Sequence, residues 1–342
     1  MSLKNRKDRP LVVWLGRPRH DGGDNLSAFR NDFDNAILDA ENRNEVKAKL
    51  PALIAKHGSI DALVVPMGTM TYAPFDQDLL SPLAAGYGIT ASFKAGYDEF
   101  DVEWITRQGI WLCNPTEAVV ESTSNMAMFL ILAIVRDTYR AQQTIRSGSW
   151  LDHLYPTHHV TGMRIGIIGM GKMGKRIASK AKAFNMRIKY FNRRRLSNQE
   201  EILYSASYCD SLHALPSTSD VVSINCPLNG DTRNLISTAE FATMRHGTYL
   251  VNTARGAIVD EDALIQAIDC GKIARAGLDV FCSESRINSY FQESDKVICQ
   301  PHMRGLTQGA YKLAEMECLE NIRTYFKTWK PINPVNDLSA LL

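Results

Sequence analysis

The sequence predicts an α/β protein made of two doubly wound parallel-sheet domains. Three observations predict it. Short apolar runs alternate with helix-like segments along the chain. The 342 residues suit two domains, at ~100–200 residues each. A glycine-rich turn at 169–174 sits between a strand-like run and a helix-forming segment.

The first elements are read in order. Segments 11–15 and 62–66 are short apolar strands, and 36–57 between them has helix-like spacing. The apolar stretch 111–113 ends at Asn114-Pro115, a boundary, because proline pushes its predecessor towards extended geometry. Segment 121–147 reads as one long helix with an almost wholly apolar middle, 126–135. Such a helix needs a domain junction or a partner subunit to cover it. That apolar run is too short to span a membrane. Segment 149–162 is a polar, histidine-containing loop.

Composition removes several classes of function. Hydrophobic residues make up 45% and charged residues 22%, as in ordinary globular chains and unlike disordered or fibrous ones. Lys plus Arg is 39 against 37 for Asp plus Glu, so the formal charge is +2, without the basic excess of a nucleic-acid binder. The seven cysteines are scattered and form no CxxC pair, so no zinc ribbon or thioredoxin-type site is expected. His153, His158 and His159 have only Asp152 beside them, which does not make a metal-site spacing, and no metal is expected. The N-terminal MSLKNRKDRP is basic with no apolar stretch behind it, so no secretory signal is read and the expected compartment is the cytoplasm.

The middle of the chain carries the most specific signal. The strand-like run 163–168, MRIGII, leads into Gly169-Met170-Gly171-Lys172-Met173-Gly174, and a helix-forming segment follows at 175–185. The first glycine permits the tight turn, the second lets backbone approach a pyrophosphate, and the third lets helix pack close to strand. The helix N-terminus then presents partial positive charge to the anion. This is a dinucleotide-binding, Rossmann-like signature, and it makes Gly169, Gly171, Lys172, Met173 and Gly174 candidate cofactor residues.

The second strand of that unit is 187–191. An NAD-binding chain usually places Asp or Glu at its end, to accept from the ribose hydroxyls. Here the sequence is Asn192-Arg193-Arg194-Arg195. Asparagine removes the repulsion a carboxylate would exert on a 2′-phosphate, and arginines can pair with that phosphate bidentately. NADP(H) is therefore expected in preference to NAD(H), with Asn192, Arg193 and Arg194 at the adenosine end.

Four later segments complete the pattern. They are DVVSINCPL at 220–228 with Thr232 beyond it, YLVNTARGAIVDEDAL at 249–264, AGLDVF at 276–281 followed by Glu284, and ICQPH at 298–302. From about residue 95 to 307 the chain resembles the D-isomer-specific 2-hydroxyacid dehydrogenases, a group that includes glyoxylate and hydroxypyruvate reductases and fungal D-mandelate dehydrogenase-like members. The resemblance implies two Rossmann-like domains, with the cofactor domain at 114–305 inserted into a substrate domain of 1–113 and 306–342. It implies a catalytic set of Arg255, Glu284 and His302. It also implies that Cys226, Pro227, Thr232, Thr253, Ala254 and Asp279 line the cofactor, along with Arg255 and His302. Asp279, a cap or turn residue by its type alone, faces the nicotinamide amide in that pattern.

The implied roles make chemical sense. Reducing a 2-keto acid needs a hydride at the carbonyl carbon and a proton on its oxygen. Imidazole ordinarily titrates near working pH, so His302 can supply the proton. Glu284 can hold the ring's other nitrogen and favour its charged form. Arg255 offers a planar fork to the substrate carboxylate or keto oxygen and polarises the carbonyl. The expected activity is an NADP(H)-dependent 2-keto acid reductase. A dinucleotide-sensing binding protein of the same fold is the alternative, although a sensor needs no proton donor. A formate-oxidising relative fits Glu284 poorly.

The substrate side is read from three places. The resemblance places a loop at Lys94-Ala95-Gly96 whose N–H groups cradle the substrate carboxylate, and Lys94 stands where glycine is commoner. Arg304 stands two residues beyond His302, where small residues are usual. Both add positive charge near the expected pocket and suggest an acidic or bulky 2-keto acid, unless both point to solvent. Loop 67–75 is expected to line the pocket, with Met70 or Tyr72 touching an aromatic or aliphatic group. A homodimer is expected, from the apolar helix and from the resemblance.

Overall fold

The computed structural model describes residues 9–17, 24–84 and 86–339, without the side chains of Asp24, Thr69 and Met70. The chain forms two compact units. One is Met1–Val119 with Thr307–Leu342, and the other is Val120–Leu306. The crossing out of the first unit falls a few residues beyond the expected 113/114. The Glu317 carboxylate accepts from the N–H groups of Thr116 (2.7 Å) and Glu117 (3.2 Å), which keeps this stretch with the first unit.

The first unit holds a five-stranded parallel sheet. Its strands are β1 (Leu11–Leu15), β2 (Asp34–Leu38), β3 (Ala62–Val65), β4 (Ile89–Ser92) and β5 (Trp111–Cys113), in the order β2-β1-β3-β4-β5. β1, β3, β4 and β5 are buried along their whole length, as parallel strands covered on both faces must be. Leu11, Val13 and Leu15 enter one core, and Val12 and Trp14 the other. The helix Gln308–Thr328 covers the second face, and Gly88 leaves room for Tyr325 there.

Segment 36–57 is not one helix. Residues Asp34–Leu38 pair with β1 as an edge strand, and the helix Arg43–His57 starts at Asn42, whose side chain accepts from Glu45 N–H. An edge strand is half exposed, so its pattern is weak in the sequence.

The second unit holds a seven-stranded parallel sheet. Its strands are β6 (Arg164–Ile168), β7 (Arg187–Phe191), β8 (Ala206–Tyr208), β9 (Val221–Ile224), β10 (Thr248–Asn252), β11 (Ile273–Leu278) and β12 (Val297–Cys299), in the order β12-β11-β10-β9-β6-β7-β8. Strand order reverses between β6 and β9, the switch point at which such sheets open a ligand crevice.

The predicted helix over 121–147 is two helices, Val120–Val135 and Thr138–Arg146. They break at Asp137, which takes a left-handed backbone (φ 53°), and its buried carboxylate accepts from Arg275 on β11. The apolar helix Val120–Val135 is covered within its own unit. Leu130 lies so close to β11 that a Cβ on Gly277 would come within 2.9 Å of it. Among the described residues, no helix is long and apolar enough to cross a membrane.

Candidate active site

The register of the second sheet aligns its strand ends. Phe191 pairs with Ile168, Ile168 with Ile224, Ile224 with Asn252, Asn252 with Leu278, and Leu278 with Cys299. These are the last residues of six strands, and they lie on one line across the sheet. Each sequence motif begins just past that line. Asn192 follows β7, Gly169 follows β6, Cys226 and Pro227 follow β9, Thr253, Ala254 and Arg255 follow β10, Asp279 follows β11, and His302 lies just past β12. Residues more than a hundred positions apart are gathered by hydrogen-bond register.

The glycine turn is built as its chemistry requires. Gly169 has φ 92°, and a Cβ there would meet Cys226 N at 2.7 Å. Gly174 packs the helix Lys172–Ala183 on the turn, and a Cβ there would come within 2.2 Å of the Gly169 carbonyl oxygen. Gly171 caps that helix in extended geometry, and a Cβ on it would meet nothing within 4 Å. The helix starts three residues before the predicted 175 because Gly171 serves as its cap, with Lys172 and Met173 in the first turn. An open cradle at a helix N-terminus, beside two glycines with no space to spare, fits a pyrophosphate. The residues present therefore suit a dinucleotide.

Asn192 fastens the turn after β7. Its Oδ1 accepts from Met170 N–H (3.3 Å), and its Nδ2 donates to the Arg194 carbonyl (2.8 Å). The three arginines differ. Arg195 is committed to Glu201 through two 2.9 Å contacts and lies over the Tyr208 ring, so it is no part of an anion site. Arg193 is exposed, with Asp231 3.8 Å away. Arg194 is exposed and makes no ion pair among the described residues. Thr232 closes the turn after β9, and its hydroxyl donates to the Pro227 carbonyl (2.7 Å).

Asn252 was not singled out in the sequence, yet it shapes the turn that carries Arg255. It is buried at the end of β10, accepts from Ala254 N–H (3.0 Å) and donates to the Arg255 carbonyl (2.9 Å). A polar residue closing an apolar strand was the available signal. Gly256 presses this turn against the segment that leads to Glu284, since a Cβ there would come within 1.9 Å of the Phe281 carbonyl carbon. Beside it, the Thr253 hydroxyl is buried without a hydrogen-bond partner.

His302 has a left-handed backbone (φ 52°). Its Nδ1 lies 2.6 Å from Oε2 and 2.8 Å from Oε1 of Glu284. Burial pushes the Glu284 carboxyl up, but the His302 hydrogen bond and the charges of His302, Arg255 and Arg304 prevail and hold it below its ordinary value. Asp279 is fully buried and accepts from the N–H groups of Met303 (2.8 Å) and Arg304 (3.1 Å). Burial raises its carboxyl, opposed by the Arg304 charge and those two N–H groups. The Asp279 side chain thus anchors the loop that presents His302.

The residues expected to hold substrate are placed less uniformly. Arg304 does not point to solvent. Its side chain is 13% exposed, next to Asp279. In the first unit, Lys94 does not point to solvent either, and it is neutralised by Glu99 at 2.7 Å, both side chains being largely buried. Its charge is therefore spent locally. The Ala95 carbonyl accepts from the Asn114 side chain, and Gly96 follows in the same turn. Tyr72 is a core residue whose hydroxyl donates to the Ala40 carbonyl, so it is not a side chain free to line a pocket. The Met70 side chain lies outside the described residues. Among the described residues, no cluster of three His, Cys, Asp or Glu side chains could hold a metal.

A dinucleotide cradle at one end of the strand-end line and a carboxylate–imidazole pair with an arginine at the other define a dehydrogenase. The profile described as "D-isomer specific 2-hydroxyacid dehydrogenase, NAD binding domain" matches residues 128–304. A Hormonema carpetanum dehydrogenase, efuE, is 48% identical over 331 residues, covering 97% of this chain and 83% of that protein. A glyoxylate reductase crystal structure from Paecilomyes thermophila superposes with TM-score 0.90 at 30% identity, covering 96% of this chain and 99% of the other. The holo form of Rhodotorula graminis D-mandelate dehydrogenase gives TM-score 0.91 at 28% identity, covering 97% and 99%. The chain belongs to the D-isomer-specific 2-hydroxyacid dehydrogenase family, and it is an oxidoreductase with an NAD(P)-binding domain.

Proposed function

We propose that this enzyme is an NADP(H)-preferring 2-keto acid reductase, interconverting a 2-keto acid and its D-2-hydroxy acid. The observation that carries the cofactor preference is the end of β7. No carboxylate stands there, and Arg193 and Arg194 extend from the same turn into solvent. A guanidinium that makes no ion pair, such as that of Arg194, is available to a 2′-phosphate. Asn192 is held by two hydrogen bonds and cannot repel it.

The chemistry follows from the other end of the line. When bound, the nicotinamide ring supplies the hydride for the substrate carbonyl carbon. His302 donates the proton to the keto oxygen, and Glu284 fixes the ring through Nδ1 so that Nε2 faces the reactant. Arg255 takes the substrate carboxylate or keto oxygen and draws charge towards it as the alkoxide develops. Asp279 keeps the His302 loop in place.

The same proposal covers assembly and location. Ile145, Trp150, Leu151 and Tyr155 are large apolar side chains exposed in one stretch of the second unit, which suits a homodimer surface. All seven cysteines are unpaired, which suits a reducing cytoplasm.

The deciding experiment is a spectrophotometric screen with NADPH and NADH. Glyoxylate, hydroxypyruvate, phenylpyruvate, benzoylformate and branched 2-keto acids form the panel. A clear preference in kcat/KM for NADPH is expected. A preference for NADH overturns the cofactor assignment. Sedimentation at two concentrations checks the dimer, and a monomer at both removes it.

A further inference from the structure

Arg304 lies two residues beyond His302, and the proposed chemistry does not use it. Its side chain is largely buried, and Nη1 is buried without a hydrogen-bond partner. The nearest carboxylate is that of Asp279. Glu284 points both oxygens at His302 Nδ1. Asp279 accepts a main-chain N–H at each oxygen, and its Oδ2 stands 3.6 Å from Arg304 Nη1, an ion pair longer than a hydrogen bond.

A second guanidinium stands close by. Burial lowers the Arg304 pKa to about 10, and the next cause is the positive charge of Arg255, against the carboxylates of Asp279 and Glu284. Two arginines therefore feel each other beside the proposed proton donor. A monocarboxylic keto acid offers one carboxylate, which Arg255 can take. Donors left over on a buried guanidinium call for a second anionic group, because an unsatisfied buried N–H is costly and a charge-assisted bond to it is strong.

We propose that Arg304 is a specificity-determining residue that receives a second acidic group, so that the preferred substrates are 2-keto dicarboxylic acids. This rests on the 2-keto acid reductase reading and narrows it.

The test compares oxaloacetate and 2-oxoglutarate with 2-oxopentanoate and 4-methyl-2-oxopentanoate, in the full-length enzyme with NADPH. The readout is the ratio of kcat/KM for dicarboxylic over monocarboxylic acids. It is measured for the wild type, Arg304→Gln and Arg304→Lys, with the Tm of each as a check on folding. The ratio is expected to fall by roughly ten- to a hundredfold in Arg304→Gln, as for loss of a charged hydrogen bond. Arg304→Lys should recover part of it. A ratio unchanged within about twofold overturns the inference. A wild type that reduces the monocarboxylic acids and refuses both dicarboxylic ones also overturns it, and leaves the reductase reading standing. No reduction of any keto acid with either cofactor removes both.

Discussion

His302 Nδ1 lies 2.6 Å from Glu284 Oε2, so one ring nitrogen is committed and the other makes no hydrogen bond among the described residues. The pair behaves as a held acid. Replacing His302 by alanine should lower kcat by ~10²–10⁴-fold, the usual contribution of a positioned proton donor. NADPH binding, measured by fluorescence titration, should stay within about threefold, since the phosphate cradle is remote from this pair. A variant that keeps most of its kcat removes His302 from the chemistry.

Glu284 gives that pair its pH behaviour. Its carboxyl is held below the ordinary range, so it stays charged and holds the ring down to acidic pH. Replacing it with glutamine removes the negative charge. The acid limb of the reduction profile, where protonation of Glu284 loosens its hold on His302, should therefore disappear in Glu284→Gln. A profile that does not move assigns Glu284 a purely steric role.

Gly171, Gly174 and Gly256 should separate by substitution. Gly174→Ala and Gly256→Ala put a methyl into backbone, at 2.2 Å from the Gly169 carbonyl oxygen and 1.9 Å from the Phe281 carbonyl carbon. Each should cost at least ~1–3 kcal/mol of stability, as overpacking does. Gly171→Ala meets open space and should leave Tm within a few degrees while weakening NADPH binding. Thermal melts with and without NADPH tell these apart. Equal losses of Tm at all three positions count against the cradle.

Cofactor choice should turn on Asn192. Asn192→Asp sets a carboxylate beside the 2′-phosphate position and gives up the side-chain N–H donated to Arg194. The NADPH/NADH ratio of kcat/KM is expected to fall by about tenfold or more, on the scale of a like-charge contact. Arg194→Ala should act in the same direction and more weakly. An unchanged ratio in both variants moves the phosphate site elsewhere.

Acid stability gives an independent check on the arginine turn. Arg195 first, then Tyr190, hydrogen-bonds the Glu201 carboxylate and lowers its pKa to about 2. A carboxylate with a depressed folded-state pKa stabilises the fold fully above its unfolded value and loses that contribution as pH falls. The Tm gap between the wild type and Glu201→Gln should thus be flat above about pH 5 and close towards pH 2. A gap that stays constant to pH 2 contradicts the pairing.

What the sequence made legible follows from burial. Strands such as Ala62–Val65 and Trp111–Cys113 stand out because parallel strands covered on both faces read as apolar runs. The glycine turn stood out because its geometry tolerates few residues. Asp34–Leu38 was hidden because an edge strand is half wet. The break at Asp137 was hidden because its cause, Arg275, lies 138 residues away. Tyr72 looked like a pocket residue in a loop, but its hydroxyl found the Ala40 carbonyl and the ring was buried. Arg195 looked like its two neighbours until Glu201 and Tyr208 claimed it. At Asp137 and Tyr72, the missing information was a partner distant in the chain.

The aligned strand ends also set a distance. From β7, which carries Asn192, to β12, which leads to His302, the sheet takes five steps through β6, β9, β10 and β11. At ~4.8 Å a step, the two ends lie about 24 Å apart. The turn proposed to select the dinucleotide's phosphate and the loop that presents the proposed proton donor thus stand at opposite ends of one ruler. Changing which dinucleotide the enzyme prefers need not disturb which acid it reduces.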